Sequence, residues 1–220
     1  MKRRLKFTRA RKDWMVKDWN RVIFMDEMAI KVGQERTSCV FVRRKKGEEY
    51  HKDCVDERKR ATGGMMFWGA FRGGKMGPGF FFDLPKGQTI TSVVYRDQVL
   101  LGPLKKFVDE SCSKDFEPIV MEDNASVHKG VNKEERNRMK WVEYEHPPNS
   151  PDLNPIEHIW ANIKDQITRY YAHITWQAEM HRVVQEMWDN FMDTQWDGLI
   201  ASMPARMKAV IAAKGGSTRY

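Results

Sequence analysis

Three acidic residues in this chain stand where a metal-dependent nuclease would need them. Asp26 follows the apolar run VIFM, and Asp123 follows the run PIVME. Glu157 comes just after the proline-rich segment SPDLNPI, in what the pattern predicts to be the first turn of a helix. Mg²⁺ is usually held by one or two carboxylates together with substrate phosphates, and two such ions stabilise both the attacking and the leaving oxygen of a phosphoryl transfer. The pattern therefore favours two-metal phosphodiester chemistry at these three residues.

Each of these acids also has an ordinary structural explanation. Asp26 and Glu27 could be the polar end of an edge strand, and Asp123 could close its strand in an Asx-turn. Glu157 could simply complement the dipole of a helix N-terminus. For any one acid alone, both interpretations stay open. Their joint occurrence, two at strands and one after a proline-rich loop, favours the chemical interpretation.

Three further polar residues lie close to these acids. Asn124 and His128 follow Asp123 and could hydrogen-bond a phosphate or a metal-bound water. His128 could equally well cap the junction between a strand and a helix. Asp152, within SPDLNP, is expected to form a turn rather than to bind a ligand. Asn124 and His128 are therefore predicted as supporting residues of the site.

The hydrophobic pattern predicts the elements that would position these residues. Strands are expected over residues 22–25 with a continuation to 29–32, over 118–121 and over 141–144, and a hairpin over 63–71 and 79–83 with its turn at 72–78. A 3.6-residue period predicts helices over 89–108, 132–140, 176–191 and 196–213. Asn154 is expected to cap a further helix that has Pro155 at its first position. Strands followed by strand–helix alternation and a helical end predict a mixed α/β fold.

The composition suits one sizeable soluble domain with a basic excess. The chain has 220 residues, 41% of them hydrophobic, and 38 Lys and Arg against 30 Asp and Glu, which gives a net charge of +8. No apolar run approaches the roughly 18 residues of a membrane span, so no membrane partner is expected. The charge is compatible with nucleic acid, but also with a generally basic protein. Weak candidates for DNA contacts are Arg43, Arg44, Lys45, Lys46, Arg58, Lys59 and Arg60.

Four segments together resemble the catalytic domain of Tc1/mariner-type DNA transposases: VIFMDE, DNASVH, SPDLNPIEHIW and SMPARMKAVIAAKGG. The resemblance covers nearly the whole chain. It implies an RNase H-like α/β fold, a mixed sheet flanked by helices, with a clamp-loop insertion and a helical C-terminal tail. It also implies that Asp26, Asp123 and Glu157 form a DDE triad that is both catalytic and metal-binding. The implied cofactor is Mg²⁺ or Mn²⁺, as two ions.

The resemblance implies a specific reaction and specific partners. A phosphodiester is first hydrolysed at a transposon end, and the freed 3′-OH then attacks target DNA in a direct strand transfer. The partners would be DNA, as transposon ends and as target, and a second copy of the chain contacted through the clamp loop at residues 38–62. The protein would act in the nucleus of a eukaryotic host, or otherwise inside the cell.

Two departures from the family pattern affect these expectations. Between Asp123 and Glu157 lie 33 residues, one fewer than is usual in the Tc1 branch. Family members also carry N-terminal helix-turn-helix modules, whereas a basic linker at 1–20 is expected here before a catalytic domain at 21–220. The chain would then be a catalytic fragment or a truncated copy. A catalytically silent, transposase-derived DNA-binding or dimerising protein is the alternative, and the basic charge weakens a third interpretation, a small-molecule phosphatase.

Overall fold

The computed structural model describes residues 1–32, 64–85, 88–113, 117–123, 125–128, 131–191 and 193–220. The predicted clamp loop at 38–62 lies outside the described residues. So do Asn124 and the seven weak candidates for DNA contacts, namely Arg43, Arg44, Lys45, Lys46, Arg58, Lys59 and Arg60. These predictions therefore stay predictions.

The described elements alternate between a sheet and the helices that cover it. The strands are β1 (Val22–Lys31), β2 (Gly64–Arg72), β3 (Lys75–Phe81), β4 (Ile119–Glu122) and β5 (Val142–Glu145). The helices are α1 (Lys2–Ala10), α2 (Val16–Trp19), α3 (Ser92–Tyr95), α4 (Lys105–Ser111), α5 (Val131–Met139), α6 (Ile156–Tyr170), α7 (Gln177–Asp189), α8 (Asp193–Ala201) and α9 (Met203–Ala212). A π-helical segment, Arg96–Leu104, joins α3 to α4. Short 3₁₀ turns occupy Ser126–His128 and Pro151–Leu153.

The five strands form one mixed sheet in the order β3-β2-β1-β4-β5. The first three are antiparallel neighbours, whereas β4 runs parallel to β1 and β5 runs parallel to β4. This confirms the predicted mixed sheet with flanking helices. Because β1 is central, it forms backbone hydrogen bonds to β2 on one side and to β4 on the other.

Alternation along β1 divides the interior into two hydrophobic cores, one on each face of the sheet. Phe24 and Met28 point into the core that contains the buried residues of α6, α7, α8 and α9. Ile23 and Met25 point into the other, which contains those of α3, the π-helical segment and α4. The same alternation places Asp26 on the α6 face of the sheet and Glu27 on the opposite face. The two adjacent acids therefore lie in different environments.

Two glycines let the α6–α7 layer approach the sheet closely. A Cβ on Gly69 of β2 would lie 2.4 Å from Cη2 of Trp188 and 2.8 Å from Cη2 of Trp160, and one on Gly79 would lie 2.4 Å from Nε1 of Trp188. The indole of Trp188 also donates a hydrogen bond of 3.1 Å to the carbonyl oxygen of Gly77. Both indoles are almost fully buried. Rings of this size contribute much of the burial energy of a core, and the glycines make room for them.

Two predicted elements differ from the structure because of proline and glycine. The predicted turn at 72–78 is shorter: the chain turns at Gly73 and Gly74, where Gly74 has a φ of +69°, and β3 resumes at Lys75. Pro78 is tolerated inside β3 because β3 lies at the edge of the sheet. The predicted helix at 89–108 begins only at Ser92 and is kinked at Gly102, whose φ and ψ are −116° and −105°. Pro103 follows it and has no N–H to continue the helix.

The helical C-terminal part is also more divided than the predicted single helix at 196–213. It consists of α8 and α9, with Ser202 between them and Pro204 near the start of α9. Proline suits the first turn of a helix because its missing N–H is not needed there. None of the described helices is long and apolar enough to cross a bilayer.

The close fit of Gly69 under the tryptophans predicts a position-specific loss of stability. Gly69→Ala should lower the free energy of unfolding by about 1–3 kcal/mol, because the added methyl group forces two buried indoles to move. Gly64→Ala in the same strand is the matched control, since a Cβ there meets nothing within 4 Å. Thermal unfolding of both variants tests this. Equal midpoints for the two variants would contradict the packing argument.

Candidate active site

The parallel strands place two aspartates side by side at one edge of the sheet. Phe24 of β1 pairs with Met121 of β4, and each strand reaches its aspartate two residues later. Asp26 and Asp123 therefore occupy equivalent positions on neighbouring strands. Met121 pairs in turn with Tyr144 of β5, so the same offset brings His146 level with Asp123. The register thus aligns two carboxylates and an imidazole in one row.

A cavity of about 490 Å³ lies at this row, and all three acids named by the sequence line it. Asp26 comes from β1, Asp123 from the end of β4, and Glu157 from the first turn of α6. The remaining lining residues are Ala125, His146, Pro147, Pro148, Asn149, Ser150, Pro151 and Asn154. The prediction that these acids lie together therefore agrees with the geometry, although their separation in sequence is large.

The helix that carries Glu157 begins one residue later than expected. Pro155 is its N-cap and Ile156 its first residue, rather than Asn154 and Pro155. Asn154 still joins the parts of the site, because its Nδ2 donates to the carbonyl oxygen of Met25 at 3.3 Å and its own carbonyl accepts from the Glu157 N–H at 3.2 Å. Asn154 therefore ties the start of α6 to β1 directly before Asp26.

The carboxyl groups of Asp26 and Glu157 line the same cavity, and each influences the pKa of the other. Burial, together with the negative charges of Glu27, Glu157 and Asp123, raises the pKa of Asp26 to about 8, against a backbone hydrogen bond from Glu27 that lowers it. Burial also raises the pKa of Glu157, where a hydrogen bond with Asp26 acts in the opposite direction. Two close carboxylates disfavour double ionisation, so the raised pKa favours the protonated form of Asp26 near pH 7.

Asp123 is kept ionised by His128. The imidazole Nδ1 lies 2.8 Å from Oδ1 of Asp123, and Nε2 lies 3.4 Å from Oε1 of Glu27. Burial would lower the pKa of His128, but these two acids outweigh it and raise the pKa to about 10. Burial would raise the pKa of Asp123, yet the hydrogen bonds from His128 and the Ala125 N–H hold it below its usual value. His128 thus bridges Glu27 of β1 and Asp123, which directly follows β4. The sequence predicts it as a supporting residue, with a cap at a strand–helix junction as the alternative.

Tyr95, Glu122 and Arg136 form a second buried polar group that contacts His128. The hydroxyl of Tyr95 donates to Oε1 of Glu122 at 2.7 Å, and Arg136 forms an ion pair with the same carboxylate. Arg136 also donates to the carbonyl oxygen of His128. The rings of Tyr95 and His128 lie 4.4 Å apart at their centroids. A buried charge such as that of Glu122 is tolerated only when it is paired and hydrogen-bonded. Arg136 provides the opposite charge, and Tyr95 provides a further hydrogen bond.

The proline-rich wall of the cavity is fixed by both ends of the described chain. Arg4 of α1 donates two hydrogen bonds of 2.7 Å to the carboxylate of Asp152, which also accepts one of 2.7 Å from Thr218. Arg206 of α9 donates to the backbone carbonyl of Asp152 at 2.8 Å. Asp152 lies in the predicted turn, but its carboxylate is engaged in a buried, bidentate ion pair. The segment that leads to Glu157 is therefore clamped between α1 and α9.

His146 is a cavity residue that the sequence interpretation missed. Burial lowers its pKa to about 4, so the ring is neutral near pH 7, and the ring of Phe7 meets it edge-on at 6.2 Å. A neutral imidazole can bind a metal or share a hydrogen bond. One signal was present: IVMED and VEYEH both place a polar residue directly after a short strand. Using that signal requires the parallel register of the two strands, which only the fold reveals.

The donor set fits a hard divalent cation. The acids that line the cavity offer carboxylate oxygens, the ligands that Mg²⁺ and Mn²⁺ prefer, and their mutual repulsion is what a cation would relieve. Within the described ranges, no three His, Cys, Asp or Glu side chains are yet gathered closely enough to enclose an ion. Mg²⁺ commonly completes its shell with water and substrate phosphates, so two or three carboxylates facing one cavity suffice.

Comparison with known proteins places the chain in a family. Residues 21–176 match the family described as DDE superfamily endonuclease. The chain belongs to this superfamily. The Transposable element Tcb2 transposase of Caenorhabditis briggsae is 28% identical over 99% of the chain and 77% of its own length. The Tc1 transposase of Caenorhabditis elegans is 27% identical with the same coverage. Within the superfamily, the chain is a Tc1/mariner-type transposase catalytic domain, as its sequence motifs predict.

Solved structures agree in fold at low sequence identity. The catalytic domain of Mos1 mariner transposase superposes with a TM-score of 0.74 and 16% identity, over 99% of this chain and 94% of that one. A Mos1 catalytic domain with Raltegravir and Mg gives 0.71 and 15%, over 100% and 98%. A pre-cleavage Mos1 transpososome gives 0.79 and 17%, over 100% and 64%. These matches confirm the RNase H-like fold, and the superfamily identifies the chain as an endonuclease of a metal-dependent family.

The buried Arg4–Asp152 pair predicts a pH-dependent contribution to stability. Asp152→Asn should lower the free energy of unfolding by about 3 kcal/mol at pH 7, because it leaves the buried guanidinium without its counter-charge. The hydrogen bonds from Arg4 and Thr218 outweigh burial and hold the pKa of Asp152 below its usual value. The difference between the proteins should therefore shrink below the unfolded pKa of about 3.9 and vanish as the pH falls through the native pKa.

Denaturant unfolding at pH 7 and at a series of acidic pH values measures this difference. Glu186→Gln is the control, since it breaks an exposed pair with Arg182 that is expected to contribute at most about 1 kcal/mol. A loss for Asp152→Asn that stays constant down to the lowest pH would show that the carboxylate charge is not what stabilises the loop.

Proposed function

We propose that Asp26, Asp123 and Glu157 are the catalytic and metal-binding triad of this transposase domain. The supporting observation is that carboxylates from β1, β4 and α6 line one cavity, although they come from distant parts of the chain. Residues brought together by a fold, with strongly shifted pKa values in a cleft, are the usual signature of an active site. The reaction is phosphodiester hydrolysis at transposon ends, followed by transfer of the 3′-OH into target DNA.

The proposed cofactor is Mg²⁺ or Mn²⁺, bound as two ions. The Mos1 structure with Mg supports this choice by analogy, and the carboxylate donor set of this chain supports it directly. When bound, such ions lower the pKa of a water nucleophile and stabilise the charge that develops on the phosphodiester oxygens. In this proposal Asp26 serves as the central ligand, since the register of β1 and β4 supports a neighbouring Asp123 and α6 contributes Glu157 to the same cavity.

The remaining residues of the site hold these ligands in place. His128 fixes the orientation of Asp123 and keeps it ionised, while Asn154 fixes the entry of α6 and hence Glu157. The prolines at 147, 148 and 151 give the cavity a stiff wall. Preorganised side chains of this kind lower the cost of aligning reacting groups. Asn124 remains a proposed supporting residue.

The proposed substrate is DNA. The Mos1 transpososome supports it by analogy, and the excess of Lys and Arg in this chain provides the positive charge that phosphates require. Dimerisation through the 38–62 loop, a basic linker at 1–20 before a catalytic domain at 21–220, and action in the nucleus of a eukaryotic host belong to the same proposal.

A nicking assay on supercoiled plasmid with Mg²⁺ or Mn²⁺ tests the triad. Asp26→Asn, Asp123→Asn and Glu157→Gln should each lower the nicking rate by about 10²–10³-fold, since each removes a charge worth several kcal/mol to the transition state. In EDTA, Asp26→Asn should unfold at a temperature no lower than wild type, because it removes a carboxyl whose raised pKa destabilises the folded state at neutral pH.

Asp165→Asn is the control, because it removes an exposed carboxylate from the same helix as Glu157 and should nick at the wild-type rate. Equal nicking by wild type and all three triad variants would refute the assignment. Complete inactivity of the wild type, with DNA binding intact, would instead support the catalytically silent DNA-binding protein.

A further inference from the structure

The exposed side of α1 is a concentrated positive surface, formed by Lys2, Arg3, Lys6 and Arg9. At about 100° per residue, Lys2, Lys6 and Arg9 fall within an arc of about 60°, and Arg3 lies about 60° further round. No acidic residue occurs anywhere in this helix. We call these four residues the α1 cationic face.

The opposite side of α1 is fastened to the wall of the active-site cavity. Phe7 meets the ring of His146, a cavity residue, and Arg4 forms the bidentate pair with Asp152, next to the cavity residue Pro151. These two contacts lie on the buried face of the helix. The α1 cationic face is therefore the outer surface of an element that borders the cavity, rather than a feature of a remote part of the molecule.

The charges of this face have no partner among the described carboxylates. Several exposed cations of other helices do form ion pairs: Lys105 with Asp109, Arg138 with Glu135, Arg169 with Asp165, and Arg182 with Glu186. Within the described ranges, no carboxylate forms an ion pair with Lys2, Arg3, Lys6 or Arg9.

The arrangement of these cations destabilises α1, and no ion pair within the described residues offsets that loss. Lys2 and Lys6 are like charges at i and i+4, which destabilise a helix by a few tenths of a kcal/mol. Cations in the first turn also oppose the helix dipole. An external polyanion would remove both costs, because its negative charge would lie along the exposed side of α1.

We propose that the α1 cationic face binds the sugar–phosphate backbone of the DNA duplex that leads to the active-site cavity. The nine residues of α1 span about 13 Å, and one DNA strand offers a phosphate about every 3.4 Å along the axis. Four cations thus match about four phosphates in length. The binding is independent of base sequence, because phosphates carry no sequence information. This inference rests on the proposed function and adds a location for the substrate.

Two quadruple variants with the same change in net charge test the proposal. The first replaces Lys2, Arg3, Lys6 and Arg9 by Gln. The control replaces Lys105, Arg138, Arg169 and Arg182 by Gln, which removes four exposed cations that are already paired. Binding to a labelled duplex of about 30 base pairs and arbitrary sequence is followed by fluorescence anisotropy in EDTA, over a series of salt concentrations. Circular dichroism verifies that both variants retain the wild-type helical content.

The first variant should bind more weakly, and its slope of log K against log salt should be smaller than that of wild type by roughly 2 to 4, at about 0.9 for each phosphate that is no longer neutralised. The control should keep the wild-type slope to within about one phosphate. Equal slopes for the two variants, or a wild type whose DNA binding does not depend on salt, would overturn the proposal.

The measurement separates this inference from the triad assignment, because binding in EDTA needs no cleavage. If the triad is wrong, the nicking assay fails while the difference in salt slope remains. If the α1 cationic face is not a DNA surface, the slopes agree while nicking still depends on Asp26, Asp123 and Glu157.

Discussion

The parallel pairing of β1 with β4 is the constraint on which the rest of this structure depends. Only three residue pairs form that ladder, yet they align two aspartates whose positions in sequence are nearly a hundred residues apart. A slip of one residue would turn one of the two carboxylates to the opposite face of the sheet. The hydrophobic cores on both faces prevent that slip, because Phe24 and Ile23 would have to exchange environments. The packing therefore fixes the geometry of the acids as well as the fold.

Stability and chemistry are in conflict at this edge of the sheet. The cores gain free energy from buried aromatic rings, whereas the site buries acids that repel one another. The molecule manages the conflict in two ways. Burial and the neighbouring acids raise the pKa of Asp26, which favours its uncharged form. His128 pairs with Asp123 and Glu27, and Arg136 pairs with Glu122. Strongly shifted pKa values of this kind are concentrated at functional sites.

Much of the fold and of the candidate site could be predicted from the sequence. The features that could not be predicted have identifiable physical causes. Apolar runs and periodicity indicated the strands, the helices and the three acids, since these patterns are local. Gly102 and Pro103 are residue types that interrupt helices, but the helical period of the residues around them favoured one continuous helix in the prediction. The roles of Arg4 and His146 could not be predicted. Arg4 contacts Asp152, which is 148 residues away, and His146 is aligned by a strand register that no local pattern encodes. A basic N-terminal segment likewise did not reveal that Arg4 faces inward.

The two kinds of buried side chain have different fates when selection for cleavage ends. Replacing Asp26 by Asn should remove a carboxyl whose raised pKa destabilises the fold, whereas enlarging Gly69 should disturb two buried indoles. A copy retained only for its fold, for example as a DNA-binding protein, should therefore lose its acids early and keep its glycines and tryptophans. An intact set of acids beside an intact core, as in this chain, is the combination that selection for cleavage would maintain.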